Sequence, residues 1–427
     1  MQKIVVTLLS CFFSFIIYSQ ADKVTIDKST SGLKLKVNGN AFIVNGMNWD
    51  YYPIGTTYSY SIWEQPEDII QGALDSEMTM LKDMGVNSVR VYTGIPKKWI
   101  EYIYTNYGIY TMLNHTFGRY GLTLNGTWVA NTEYADATTR ELLLNEVQQL
   151  ASEYKDTKGL LLFLLGNENN YGLVWEGAAT ENIPVKEKKS TVRKRAIALY
   201  KLFNDAAVAM KTIDFFHPIA LCNGDLQYLD LIVKECPNID IFGANIYRGK
   251  SFGDLFEKVK KKCAKPVLFT EFGSDALNAL TNLEDQNAQA TILKENWKEI
   301  YQNAAGIGKS ENCLGGFTFQ FSDGWWKYGQ TKNLNIHDLN ASWVNGGYGF
   351  DFVKGKNNMN EEWFGICEKG PTNAKGLYQL QPRFAYYILQ KVHQINPYTN
   401  GKSLNEIQYL FDKIKTINTS QKEVKSN

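Results

Sequence analysis

Histidine is scarce in this chain, with four residues in 427: His115, His217, His337 and His393. None falls in an HxH or HExxH pair, so the histidine-based metallohydrolases are not indicated. A Walker loop, a GxGxxG turn after a strand and a GxSxG elbow are also missing, and no cofactor is implied. The chain has no excess of either charge: Lys+Arg number 45 against Asp+Glu 44, a formal net charge of +1. No broad field therefore exists for nucleic acid or an anionic membrane surface, and a neutral or locally recognised substrate fits better. Cysteine is sparse. Without Cys11 there remain Cys222, Cys236, Cys263, Cys313 and Cys367, an odd and widely spaced set that describes no disulfide framework. Buried thiols are expected.

Long apolar runs are confined to the start, where MQKIVVTLLSCFFSFIIYSQA has one lysine, an apolar stretch and then small or polar residues. This pattern is that of a secretory leader over residues 1–21, cleaved near Ser19 to Ala21. The run is short for a bilayer span, and no stop-transfer pattern follows. Leu-Leu-Ser-Cys at Cys11 is similar to a lipoprotein processing site, but too little precedes it and the apolar run continues past it. A secreted or periplasmic location is expected, without stable membrane insertion.

Aromatic residues are plentiful, at 13% of the chain with 10 Trp and 25 Tyr, many of them outside the expected strands. Aromatic faces fill cores and also stack on sugar C–H faces. The remaining pattern is strand then helix, repeated. Leu33 to Val44 reads as a hairpin broken at Asn38-Gly39, its second arm running into Gly46-Met47-Asn48 as a first barrel strand. Further strands are expected at Ser88 to Tyr92, Ile109 to Asn114, Gly159 to Leu165, Pro218 to Cys222, Asp240 to Asn245, Pro266 to Thr270 and Leu314 to Phe321, with helices between them. A long polar loop carrying Gly126 and Trp128 follows the third strand, and an insertion from Tyr171 to Lys189 follows the fourth. The expected architecture is α/β: a single (β/α)8 barrel over residues 22–398 with extended βα loops, then a lysine-rich, weakly helical tail over 399–427.

Two strands in this plan end on glutamate. GLLLFLL, apolar without period as befits a strand buried on both faces, runs into Gly166-Asn167-Glu168, and PVLFT runs into Glu271-Phe272-Gly273. In such barrels the catalytic groups stand at the carboxyl ends of strands, because all the βα loops open there. Two glutamates placed so suggest a glycosidase; either alone would more often fix a loop.

The pairing of Asn167-Glu168 at the fourth strand with Glu271 at the seventh resembles the clan A retaining β-glycosidases, which include families 2, 5 and 17. The resemblance extends from Leu33 to about Gln394. The opening GMNWDYYP at Gly46 to Pro53 is similar to the first-strand motif of family 2 barrels, although no β-sandwich domains precede it. The VRVY string at Val89 to Tyr92 resembles barrels acting on β-1,3-glucans. The resemblance implies that Glu271 is the nucleophile and Glu168 the general acid and later base, with Asn167 on the sugar 2-hydroxyl. It further implies that Arg90 keeps the nucleophile ionised, that Tyr247 hydrogen-bonds it, and that Trp325 or Trp326 floors the sugar site. Asn48, Asp50 and His115, at the ends of early strands, are candidates to line that site, with Asn114, Asn223 and Asp225 behind them. The implied protein is a monomeric hydrolase of β-linked oligo- or polysaccharides. A transglycosylase and a non-catalytic glycan-binding barrel are the alternatives.

Overall fold

The computed structural model describes residues 21–57, 59–173, 185–278, 281–325, 331–339 and 360–417. Residues 1–20 of the expected leader, most of the insertion after Glu168, and Trp326 lie outside the described residues.

Eight parallel strands close into a barrel: β1 (Val44–Asn48), β2 (Ser88–Tyr92), β3 (Tyr110–His115), β4 (Leu160–Leu165), β5 (Ile219–Gly224), β6 (Ile241–Asn245), β7 (Val267–Phe272) and β8 (Cys313–Thr318). Each pairs with its neighbours in sequence, and β8 pairs with β1. The expected fold class is the observed one. Every residue of β4 is buried, because Leu162 and Leu164 join the interior cluster while Leu160, Phe163 and Leu165 join the layer beneath the helices. That double burial is why the strand has no polar alternation.

The outer layer consists of α1 (Glu67–Met84), α2 (Lys97–Tyr107), α3 (Ala137–Tyr154), α4 (Val185–Lys211), α5 (Leu229–Glu235), α6 (Leu255–Lys262), α7 (Gln286–Gln302) and α8 (Phe384–His393). These are amphipathic helices. In α1, Ile70, Ala73, Leu74, Met78 and Leu81 recur at helical spacing and are buried.

The amino-terminal end differs from the expectation. The hairpin's second arm does not continue as the first barrel strand: Asn40–Phe42 pairs with Gly32–Val37, which pairs in turn with Val24–Ser29, and Val44–Asn48 then starts afresh beside β2 and β8. The resulting three-stranded sheet places Val24, Leu35 and Val37 in the cluster that fills the barrel, closing its lower end. The carboxyl end differs too. Residues Leu404–Lys413 form a further helix, α9, started by a reciprocal cap between Ser403 and Glu406 and docked on α7 through buried Ile407 and Phe411. Packing, not composition, decides the fate of this segment. The polar loop after β3 is likewise structured. Leu122–Leu124 and Thr127–Val129 pair as a hairpin around Asn125-Gly126, both at positive φ (48° and 79°), the turn that an Asn-Gly pair favours. Among the described residues, no helix is long and apolar enough to cross a membrane.

Candidate active site

Arg90 is the centre of a polar layer at the carboxyl end of the barrel. It is the third residue of β2 and points inward, 1% exposed. Its Nη1 donates to Glu271 Oε1 at 2.6 Å and to the Thr270 carbonyl at 3.2 Å. Its Nε and Nη2 donate to Asn114 Oδ1 at 2.9 and 2.6 Å, and Nη2 also donates to Asn167 Oδ1 at 2.9 Å and to the Tyr92 hydroxyl at 3.2 Å. Burial works against the cation, but Tyr92, Cys222 and Glu271 raise its pKa further, and the net direction is up. The guanidinium is thus a fixed charge whose planar fork joins β2, β3, β4 and β7.

Glu271 is the fifth residue of β7 and is 7% exposed. Besides Arg90 it accepts a hydrogen bond from the Tyr247 hydroxyl, 3.0 Å from Oε2. Tyr247 lies two residues beyond β6, its ring edge-on to Phe319 and Phe364. With a buried cation on one oxygen and a hydroxyl donor on the other, the Glu271 carboxyl group is fixed in direction.

Glu168 stands opposite in a different setting. The chain leaves β4 through Gly166 at φ 84°, where a Cβ would lie 2.5 Å from Asn169 Oδ1 and 2.8 Å from Phe203, so only glycine fits. Glu168 itself has φ 57°, a left-handed conformation that costs an L-residue roughly 1–2 kcal/mol. The two asparagines that follow hold it there. Asn169 accepts from the Asn167 N–H at 2.8 Å and donates to the Phe117 carbonyl and the Tyr134 hydroxyl, while Asn170 both donates to and accepts from the Gly224 backbone. The Glu168 carboxyl has its pKa pushed up to about 8, first by burial and then by the Glu271 charge, with Arg119, Asn245 and Arg90 opposing. Two glutamates that feel each other's charge therefore sit in contrasting environments, one paired with a cation and one buried beside a like charge.

Asn167 links the two. Its Oδ1 accepts from Arg90 and, at 3.1 Å, from Asn245 Nδ2, and its Nδ2 donates to the Tyr120 hydroxyl at 2.7 Å. Asn48, at the end of β1, donates to the Thr270 and Phe317 carbonyls at 3.1 and 3.2 Å, and its Oδ1 lies 3.4 Å from Arg90 Nη1. Glu168, Glu271, Arg90, Asn167, Tyr247 and Asn48 are thus brought together at one end of the barrel. Asn245, Tyr92, Tyr120, Thr270 and Cys222 join them, and sequence reading passed all five over. Asn245 carried the same signal as Asn48, an amide at the end of a buried strand. Burial pushes the Cys222 thiol up to about 12, so it stays neutral and donates to Asn245 Oδ1 at 3.2 Å.

The other expected residues have different surroundings. His115 lies against α3: its Nε2 is 3.3 Å from Glu146 Oε2, and its Nδ1 accepts the Phe117 N–H. Side chains alternate along β3, and Asn114 takes the inward position. Asp50 is set electrostatically among Tyr52, Glu77 and Lys369. Trp325 is 8% exposed and stacks on His337 at 4.9 Å between ring centroids, with Trp363 on His337 at 4.0 Å. Trp326 lies outside the described residues. Asn223 receives the Tyr200 hydroxyl and Asp225 pairs with Arg248, so both fix loops.

Fold and site together define a (β/α)8 barrel carrying two contrasted carboxyl groups at the ends of its fourth and seventh strands. No family model matches the chain, and no curated protein matches it in sequence. Solved structures do match it in fold. A family 2 (GH2) β-galacturonidase from Eisenbergiella tayi bound to galacturonate aligns over 87% of this chain and 54% of its own, at TM-score 0.52 and 14% identity. A β-D-glucuronidase from Dictyoglomus thermophilum aligns over 89% and 55%, at TM-score 0.52 and 14% identity. The Bifidobacterium dentium β-glucuronidase complexed with coumarin-3-O-glucuronide aligns over 89% and 50%, at TM-score 0.53 and 14% identity. This chain spans about half the length of those proteins, and at such identity the likeness is one of fold.

Proposed function

We propose that this protein is a secreted or periplasmic retaining glycoside hydrolase acting on a β-linked oligo- or polysaccharide. The observation that carries the reading is the contrast between Glu271, bonded to Arg90 and Tyr247, and Glu168, buried beside it with a raised pKa. Retaining hydrolysis needs that pair: one carboxylate to attack and one carboxylic acid to protonate. The fold shared with β-glucuronidases and a β-galacturonidase supports a β-linked sugar.

Glu271 attacks the anomeric carbon as Glu168 gives its proton to the departing glycosidic oxygen, so a glycosyl ester forms while the C–O bond breaks. The leaving group departs, and the negative charge beside Glu168 is now spent in the ester. Ionised Glu168 then takes a proton from water, whose oxygen displaces Glu271 and restores the starting state. Asn167, held by Arg90 and Asn245, presents its amide to the sugar 2-hydroxyl. The two displacements return the β configuration. Proton NMR during cleavage of a 4-nitrophenyl β-glycoside is expected to show the β-anomer first; the α-anomer as first product would overturn the double displacement, and longer oligosaccharides would assign transfer instead.

The pH profile follows from Glu168. Its carboxyl is competent while protonated, and its pKa is raised to about 8, so kcat/KM is expected to hold across neutral pH and to fall as pH rises through about 8. In Glu168→Ala with a good leaving group that alkaline limb should vanish. An unchanged limb in the variant would remove Glu168 from the acid role.

A further inference from the structure

The segment after β3, from Tyr120 through the hairpin, carries two exposed aromatic residues. Leu122, on its inner face, is buried, and Leu124 and Val129 pack against the same core. Trp128, paired with Thr123 in the register, projects from the opposite face and is 61% exposed. Its indole lies against the Gly121 backbone: a Cβ on Gly121 would come within 2.6 Å of Trp128 Cζ2. Next along the chain is Tyr120, 57% exposed, whose hydroxyl accepts from Asn167 Nδ2 at 2.7 Å. The Arg119 guanidinium lies 5.2 Å from the Tyr120 ring centre. Tyr120 is therefore bonded to the residue before Glu168, and Trp128 packs on the glycine that follows Tyr120. The hairpin holds its shape through its own core contacts and its Asn-Gly turn, so the rings are presented without a ligand. Neither ring is needed to fill the core.

We propose that Tyr120 and Trp128 form a subsite for the sugar on the leaving-group side of the cleaved bond. This rests on the glycosidase reading above. Tyr120 feels the charge of Glu168, the group that protonates the departing oxygen, and β3, which leads into this segment, lies beyond β4 from Glu271. The next sugar of a β-linked chain leaves on that side. An equatorially substituted pyranose offers a flat C–H face to an aromatic ring, and an exposed Trp and Tyr lose little rotamer freedom on contact. The preferred substrate is then a chain of sugars and not a glycoside of a small alcohol.

The test compares two substrates. The wild-type protein is given 4-nitrophenyl β-glycosides of the common hexoses, pentoses and hexuronic acids, and then the β-linked tetrasaccharide of whichever sugar it releases. In Trp128→Ala the ratio of kcat/KM for tetrasaccharide over aryl glycoside is expected to fall about tenfold, the loss of one stacking contact. Trp128→Tyr, which keeps a ring, should restore most of it. A ratio unchanged in Trp128→Ala, or lost equally in Trp128→Tyr, overturns the subsite and leaves the glycosidase standing. A wild-type protein that cleaves none of the aryl glycosides overturns both.

Discussion

Glu271→Gly is expected to lose hydrolysis by on the order of 10⁴-fold or more and to regain part of it in sodium azide. On the proposed mechanism the variant lacks the group that forms the glycosyl ester but keeps Glu168 to protonate the leaving group. The cavity left by the side chain admits azide on the face Glu271 occupied, and the product is then a glycosyl azide of inverted configuration. Inactivity alone would not distinguish a lost nucleophile from a damaged fold, because Arg90 donates to Glu271 at 2.6 Å and loses its charge partner. Azide rescue does distinguish them, since a collapsed pocket cannot be rescued. The measurement is aryl glycoside turnover against azide concentration, with the product identified by NMR. Full activity in Glu271→Gly would end the assignment.

The strands that carry the glutamates were legible because their burial is two-sided: LLLFLL and VLFT have no polar face to hide, and a carboxylate at the end of such a run needs a reason. Arg90 was legible only through the resemblance to the clan A glycosidases, from its place at the end of the second strand. For His115, period-two alternation sets the direction. Once Asn114 faces inward, His115 must face α3, and only the strand's last residues decide which of the pair that is. The Asn125-Gly126 turn was written plainly between Leu-Thr-Leu and Thr-Trp-Val, and so was the Ser403 to Glu406 cap. These are local signals that were outweighed by the polarity of their surroundings. Trp325 is a different case. Its neighbours His337 and Trp363 arrive from distant loops, and nothing in the local sequence announces that stack. The same applies to Tyr120, whose link to Asn167 spans 47 residues.

Arg90→Met is expected to destabilise the fold by about 3–5 kcal/mol, a large share of the roughly 5–15 kcal/mol that holds a domain together. The methionine fills similar volume, so the loss is electrostatic. Glu271 is left buried without its cation, and the Oδ1 atoms of Asn114 and Asn167 and the Thr270 carbonyl lose donors at once. Arg90→Lys should recover only part, because an ammonium can meet Glu271 but cannot also span Asn114 and Asn167 as the planar fork does. Urea unfolding measures this as a lower midpoint at unchanged slope. Pairing the substitution with Glu271→Gln tests the cause. If the buried ion pair dominates, the double variant is less destabilised than the sum of the two single ones; strict additivity would place the cost in the asparagine network instead. Such a result would make Arg90 first a strut between strands and only second the partner of the nucleophile.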